Sequence, residues 1–272
     1  MILDPVFKSF ACLIDSLSPW LDQVVIIGGW AHRLYRFHPS AQALGYPPLT
    51  TLDTDVALPA RLQVKGQDIH ERLVANGFRE EFLGEDQPPA THYHLGEESA
   101  GFYAEFLTPL VGSAYARTGR TNTTAQVGGV STQKLRHIEL LLEAPWQVTL
   151  GGANGFSSEA NVRIANPVAF VVQKLLIHQK RTALERAKDI LYIHDTLQLF
   201  GARLTELRTE WLTSVKPQLH AKSAANAVRM SSTLFGTIGD SIRAAALMAA
   251  GRTLSPEAIR EACEFGLARI LG

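Results

Sequence analysis

The sequence predicts an α/β fold of the α+β kind, in which a mixed sheet with accompanying helices is followed by a helical C-terminal domain. Two observations carry this expectation. Short runs rich in β-branched and aromatic residues, punctuated by turn residues, recur between residues 24 and 164. From Pro167 onward apolar residues return at spacings of three and four, glycines become sparse, and Ala, Leu, Gln, Lys and Arg dominate to the end of the chain. The 272 residues are enough for one large domain or two modest ones, and the change of pattern places the domains at 1–165 and 166–272.

The elements follow in order. Residues 4–22 read as an amphipathic helix, with Val6, Phe10, Leu13, Ile14 and Leu17 on one face before Pro19. A strand over 24–28 runs into Gly28-Gly29 and then a helix from about residue 30. A Pro-rich loop from His38 to Pro48 precedes a strand over 51–58, and a helix over 65–76 closes at Asn76-Gly77. Strands are expected over 78–82, 92–95 and 103–106. Residues 112–133, rich in Gly, Ser and Thr, read as a loop. Short elements are expected over 135–142, 147–150 and 162–164, and Gly151-Gly152-Ala153-Asn154-Gly155 signals a hairpin between the last two. Pro217 divides the helical part, and Ser255-Pro256-Glu257 opens its final helix.

Composition narrows the class of protein. With 46% hydrophobic and 19% charged residues the chain should fold rather than remain disordered. The 26 basic and 26 acidic residues cancel, which argues against a general nucleic-acid binder with a basic surface throughout. No apolar stretch is long enough to suggest a membrane span, and Met1-Ile2-Leu3-Asp4-Pro5 lacks the basic start of a signal peptide. Cytoplasmic residence without membrane association is therefore the expectation. Cys12 and Cys263, one near each end, have neither zinc spacing nor a Cys-x-x-Cys motif and read as small packing residues.

Chemistry enters at Thr51-Leu52-Asp53-Thr54-Asp55-Val56-Ala57. Alternation along a strand puts Asp53 and Asp55 on one side, half of a magnesium site. Upstream, Gly28 and Gly29 let the backbone approach a ligand, and the amides that open the next helix favour an anion. A phosphate cradle beside a metal-binding acid pair implies a nucleoside triphosphate (NTP). Glu105, flanked by apolar residues in Phe102-Tyr103-Ala104-Glu105-Phe106, needs a partner or a metal unless it faces solvent. Lys174, Arg181 and Lys188 are spaced by seven and would form a basic stripe on an uninterrupted helix, though a turn after Arg181 would break it. By residue pattern alone, Lys174 is equally a side chain snorkelling out of a core.

Gly28-Gly29 followed by Asp53-x-Asp55 resembles the nucleotidyltransferase superfamily with the polymerase β type fold. More narrowly, Glu105 with Phe106-Leu107-Thr108-Pro109, and Pro167 to Leu176 followed by Lys188-Asp189, resemble a bacterial minimal nucleotidyltransferase family whose relatives include AbiEii and MenT type toxins. The resemblance spans roughly residues 24 to 200. It implies a mixed-sheet nucleotidyltransferase core, Glu105 as third carboxylate beside Asp53 and Asp55, and Lys174 and Asp189 at the nucleotide. It further implies Mg²⁺ or Mn²⁺, an NTP substrate, an RNA acceptor such as tRNA or a protein acceptor, and an antitoxin partner. A non-catalytic nucleotide-, RNA- or partner-binding module on the same fold is the alternative, and a phosphodiester hydrolase a third reading. The longer span between Gly29 and Asp53, with its Pro-rich loop, departs from the shortest family members, and Gly29 stands where Ser is frequent.

Weaker constellations remain. His92-x-His94 puts two imidazoles on one strand face, a possible metal pair lacking a third ligand. His32, His178 and His194 are isolated and read as satisfied core or surface residues. The chain has no Gly-x-Ser-x-Gly elbow, P-loop or dinucleotide fingerprint, which disfavours those enzyme classes.

Overall fold

A computed structural model describes residues 5–63, 66–84, 89–96, 101–115, 118–119, 121–154, 156 and 158–272. Its contacts divide the chain into two compact units, residues 1–31 with 50–165 and residues 32–49 with 166–272. The Pro-rich segment over 38–48 thus groups with the helical residues rather than with the strands that flank it in sequence.

The first unit is built on one mixed sheet. Its strands are β1 (Val25–Ile26), β2 (Asp53–Ala57), β3 (Arg79–Leu83), β4 (Ala90–Leu95), β5 (Phe102–Pro109), β6 (Thr124–Val127), β7 (Val130–Leu135), β8 (Trp146–Leu150) and β9 (Ala160–Ile164). They lie in the order β3-β4-β5-β2-β1-β9-β8, with β7 paired to the end of β5 and β6 to β7. β2 runs parallel to β5, and β1 parallel to β9, while β1–β2, β3–β4, β4–β5 and β8–β9 are antiparallel. Helices α1 (Pro5–Ser16), α3 (Ile69–Ala75) and α4 (Ile138–Leu142) belong to this unit, and α2 (Gly28–Leu34) begins in it. The apolar stripe of α1 forms as the spacing predicts: Phe10, Leu13 and Ile14 are buried, and Phe10 stacks on Trp30 at 3.9 Å. Asp68 caps α3 through a capping box with Glu71, which fixes where that helix starts.

The loop expected over 112–133 is not what forms there: Thr124–Val127 and Val130–Leu135 form a hairpin over much of that stretch. Its turn is Gly128-Gly129, with φ of 59° and 84°, the positive values that a two-residue hairpin turn requires. The signal was present in the glycine pair, but the polar strands around it concealed it. The hairpin expected between β8 and β9 is found.

The second unit contains α5 (Pro167–Ile177), α6 (Ala183–Leu199), α7 (Leu204–Glu210), α8 (Ala221–Phe235), α9 (Asp240–Met248) and α10 (Pro256–Leu271). Asn166 caps α5 ahead of Pro167, Thr182 caps α6 through a box with Glu185, and Ser255 caps α10 ahead of Pro256. α5 stops at Ile177, followed by a tight turn over His178–Lys180 and extended backbone at Arg181. Lys174, Arg181 and Lys188 therefore do not share one helix, and the stripe read from their spacing does not form. Among the described residues no helix is long and apolar enough to cross a membrane.

Candidate active site

Strand register assembles the candidate site. Pairing of β2 with β5 sets Asp53 against Tyr103 and Asp55 against Glu105. Pairing of β5 with β4 sets His92 against Glu105 and His94 against Tyr103. Pairing of β4 with β3 ends the two rows on Glu81 and Arg79. Residues two apart on a strand share a face, so Asp53, Asp55, Glu105, His92, His94 and Glu81 all project from one side of the sheet. The alternate row of Thr54, Ala104 and Tyr93 points the other way and is fully buried. One side of these strands closes the core; the other displays charge.

Gly28 explains how the upstream turn meets this row. Its φ of 62° lies in the left-handed region, and a Cβ there would collide with the Asp55 carboxylate. The Ile27 amide donates to the Asp55 carbonyl oxygen at 3.0 Å, which holds the turn against β2. Gly29 follows as the second residue of α2. Asp53 and Asp55 are both half-buried, and Asp53 Oδ1 accepts from the Thr51 hydroxyl.

Glu105 has the partner that its apolar surroundings demand. His92 Nε2 lies 2.5 Å from Glu105 Oε1, and the imidazole stacks on Tyr103 at 4.3 Å with an interplanar angle of 18°. Burial pushes the Tyr103 phenol well up, and the charges of Asp53, Glu105 and Asp55 push it further. His92-x-His94 is legible in the sequence but its third member is not: Glu81, on the neighbouring strand, brings its ligand atom to within 4.8 Å of theirs. Among the described residues this is the group of metal-ligating side chains that converges so closely, whereas Asp53, Asp55 and Glu105 share a face without doing so.

The other sequence-selected residues belong to the second unit. Lys174 Nζ and Asp189 Oδ1 are 2.5 Å apart, with side chains only 6% and 2% exposed, so Lys174 does not snorkel to solvent. The Lys174 ammonium also lies 4.8 Å from the Phe170 ring centroid and 4.9 Å from that of Tyr192. Arg181 reaches the second Asp189 oxygen at 3.4 Å and pairs with Glu185 at 2.8 Å. Asp195 accepts from Tyr46, His194 and Arg252 at 3.2, 2.8 and 2.7 Å. Burial works to raise its pKa, but the hydrogen bonds from His194 and Arg252 outweigh it and hold the carboxyl below its usual range. His194 is thus satisfied as expected, whereas His32 is not: it is fully buried and neither ring nitrogen has a hydrogen bond. Burial drives its pKa down to about 3, keeping it neutral. Both cysteines are free, with thiols pushed up by burial, as suits packing residues.

A sequence model described as nucleotidyltransferase matches residues 8–216, more than three quarters of the chain. The chain belongs to this nucleotidyltransferase family and is an enzyme of that class. The family implies an NTP as substrate and, in general, a divalent metal. No curated protein matches the chain.

Proposed function

We propose that the chain moves a nucleotidyl group from an NTP to a hydroxyl of an RNA or protein acceptor, with Asp53, Asp55 and Glu105 at the reacting centre. The observation that carries this reading is the register of Asp55 against Glu105 across parallel strands, with the backbone of Gly28 against the Asp55 carboxylate. These carboxylates offer only oxygen, the donor set that suits Mg²⁺ or Mn²⁺. A cation held by Asp53, Asp55 and Glu105 would supply positive charge to the phosphates and lower the pKa of a bound hydroxyl.

The residues of the chain do the rest. In an in-line displacement the acceptor oxygen bonds to the α-phosphorus as the bond to the bridging oxygen breaks and pyrophosphate departs. Glu105 takes the proton of the acceptor hydroxyl, with His92 holding the carboxylate in place. Gly28 and Gly29 approach the phosphates through backbone. For residues 166–272, proposed as a helical domain distinct from a catalytic domain over 1–165, the resemblance assigns Lys174 and Asp189 to nucleotide contact. It also supports a toxin-antitoxin setting in a bacterial cytoplasm, tRNA among the acceptors and an antitoxin protein as partner.

Incubation with each of the four α-labelled NTPs, Mg²⁺ and total cellular RNA and protein tests the reading. Label is expected on one class of macromolecule with one preferred NTP. Release of nucleotide or phosphate without a labelled acceptor would contradict it.

A further inference from the structure

Next to the acid row, β3 and β4 carry a set of ligands of different chemistry. Glu81, His92 and His94 each bring one ligand atom to within 4.8 Å of the others. His94 is only 9% exposed, and neither of its ring nitrogens makes a hydrogen bond. The Glu81 carboxylate lies 2.8 Å from His94 Nε2, yet in an orientation that does not satisfy it. A buried imidazole with both nitrogens unsatisfied carries a desolvation cost that needs an explanation. Two ligand atoms close together and not hydrogen bonded are what a shared cation would leave.

We propose that Glu81, His92 and His94 form a binding site for a borderline divalent cation of the Zn²⁺ class, separate from Asp53 and Asp55. Imidazole nitrogen selects such cations, whereas carboxylates alone favour Mg²⁺ and Mn²⁺, so the two sets on this face discriminate by donor type. Three protein ligands leave a fourth position for water, as in zinc sites that remain open to chemistry. The half-exposed Glu81 side chain lies on β3, the terminal strand of the sheet, which gives an entry path from solvent. Glu105 sits behind His92 at 2.5 Å, the position from which a carboxylate orients a ligating imidazole.

The test is metal stoichiometry. The full chain is stripped with EDTA, dialysed against ZnCl₂ and assayed for bound zinc, in the wild type, Glu81→Gln, His94→Gln and the double variant Asp53→Asn/Asp55→Asn. About one zinc should remain on the wild type and on the double variant, and affinity should fall at least about tenfold in Glu81→Gln and His94→Gln. Because His94 is buried, thermal melts accompany each variant; Glu81→Gln, at a half-exposed side chain, keeps the test decisive if His94→Gln unfolds. A wild type that holds no zinc, a Glu81→Gln variant that binds as tightly as wild type, or loss of zinc from the double variant would each overturn the proposal. Bound zinc is read without any transfer assay, so failure here leaves the nucleotidyl-transfer reading untouched.

Discussion

Asp55 and Asp195 are both carboxylates on regular secondary structure, but their surroundings differ in kind. Asp55 stands half-buried in a row of polar side chains on a sheet face, against a glycine whose missing Cβ leaves it room. Asp195 is 1% exposed and accepts three hydrogen bonds, one from an arginine. Glu105, held by an imidazole on the same sheet face, falls with Asp55. A carboxylate neutralised by buried cations is committed to its own unit. One that stands half-buried in a row with other acids adds its charge to that face. The difference separates acids that hold the fold from acids proposed to act on a substrate.

Substitutions can break or sharpen that contrast. Asp55→Asn should lower nucleotidyl transfer about a thousandfold while leaving the melting temperature near that of wild type; initial rates beside a thermal melt check both halves. Asp195→Ala should do the reverse, since it leaves Arg252 without its buried carboxylate. The expected loss is about 3–5 kcal/mol of stability, read from urea unfolding.

Gly28→Ala tests the close approach between turn and strand. A residue other than glycine at positive φ costs about 1–2 kcal/mol, and the added methyl would displace the Asp55 carboxylate. Transfer should fall at least about tenfold along with that modest loss of stability.

His32 makes a prediction about pH. Its folded pKa of about 3 lies below the ordinary value of 6.5, so the unfolded state binds the extra proton between them. Stability should be full above about pH 6.5 and fall as pH drops towards 3, by up to about 1.4 kcal/mol per pH unit from this group. His32→Leu should flatten that part of the profile in melts between pH 7 and 5. The smallest effect is expected at the exposed pair Arg203–Glu206, 2.7 Å apart, where Arg203→Ala should change stability by less than about 0.5 kcal/mol.

Much of the sheet was legible because period-two alternation is a local property. β2, β5 and the β8–β9 hairpin fall where the apolar pattern puts them. The glycine turn and the acid pair were legible for the same reason, each being written in consecutive residues. Pairing is not local. That Glu105 would lie opposite both Asp55 and His92, and that Glu81 would join His92 and His94, depends on register between strands far apart in sequence. The buried partnership of Lys174 with Asp189 was hidden similarly, since a lysine in an apolar helix reads as snorkelling until the acid that receives it is located. Tyr46, from the Pro-rich segment, bonding to Asp195 on α6 carried no sequence signal at all.

The most direct test of the account follows the label. Wild-type chain with Mg²⁺ and its preferred NTP should transfer the α-phosphorus label to acceptor but not the γ-phosphorus label, and Asp53→Asn/Asp55→Asn should transfer neither while melting as wild type does. Transfer of the γ label, or transfer of the α label at wild-type rate by the folded double variant, would contradict it.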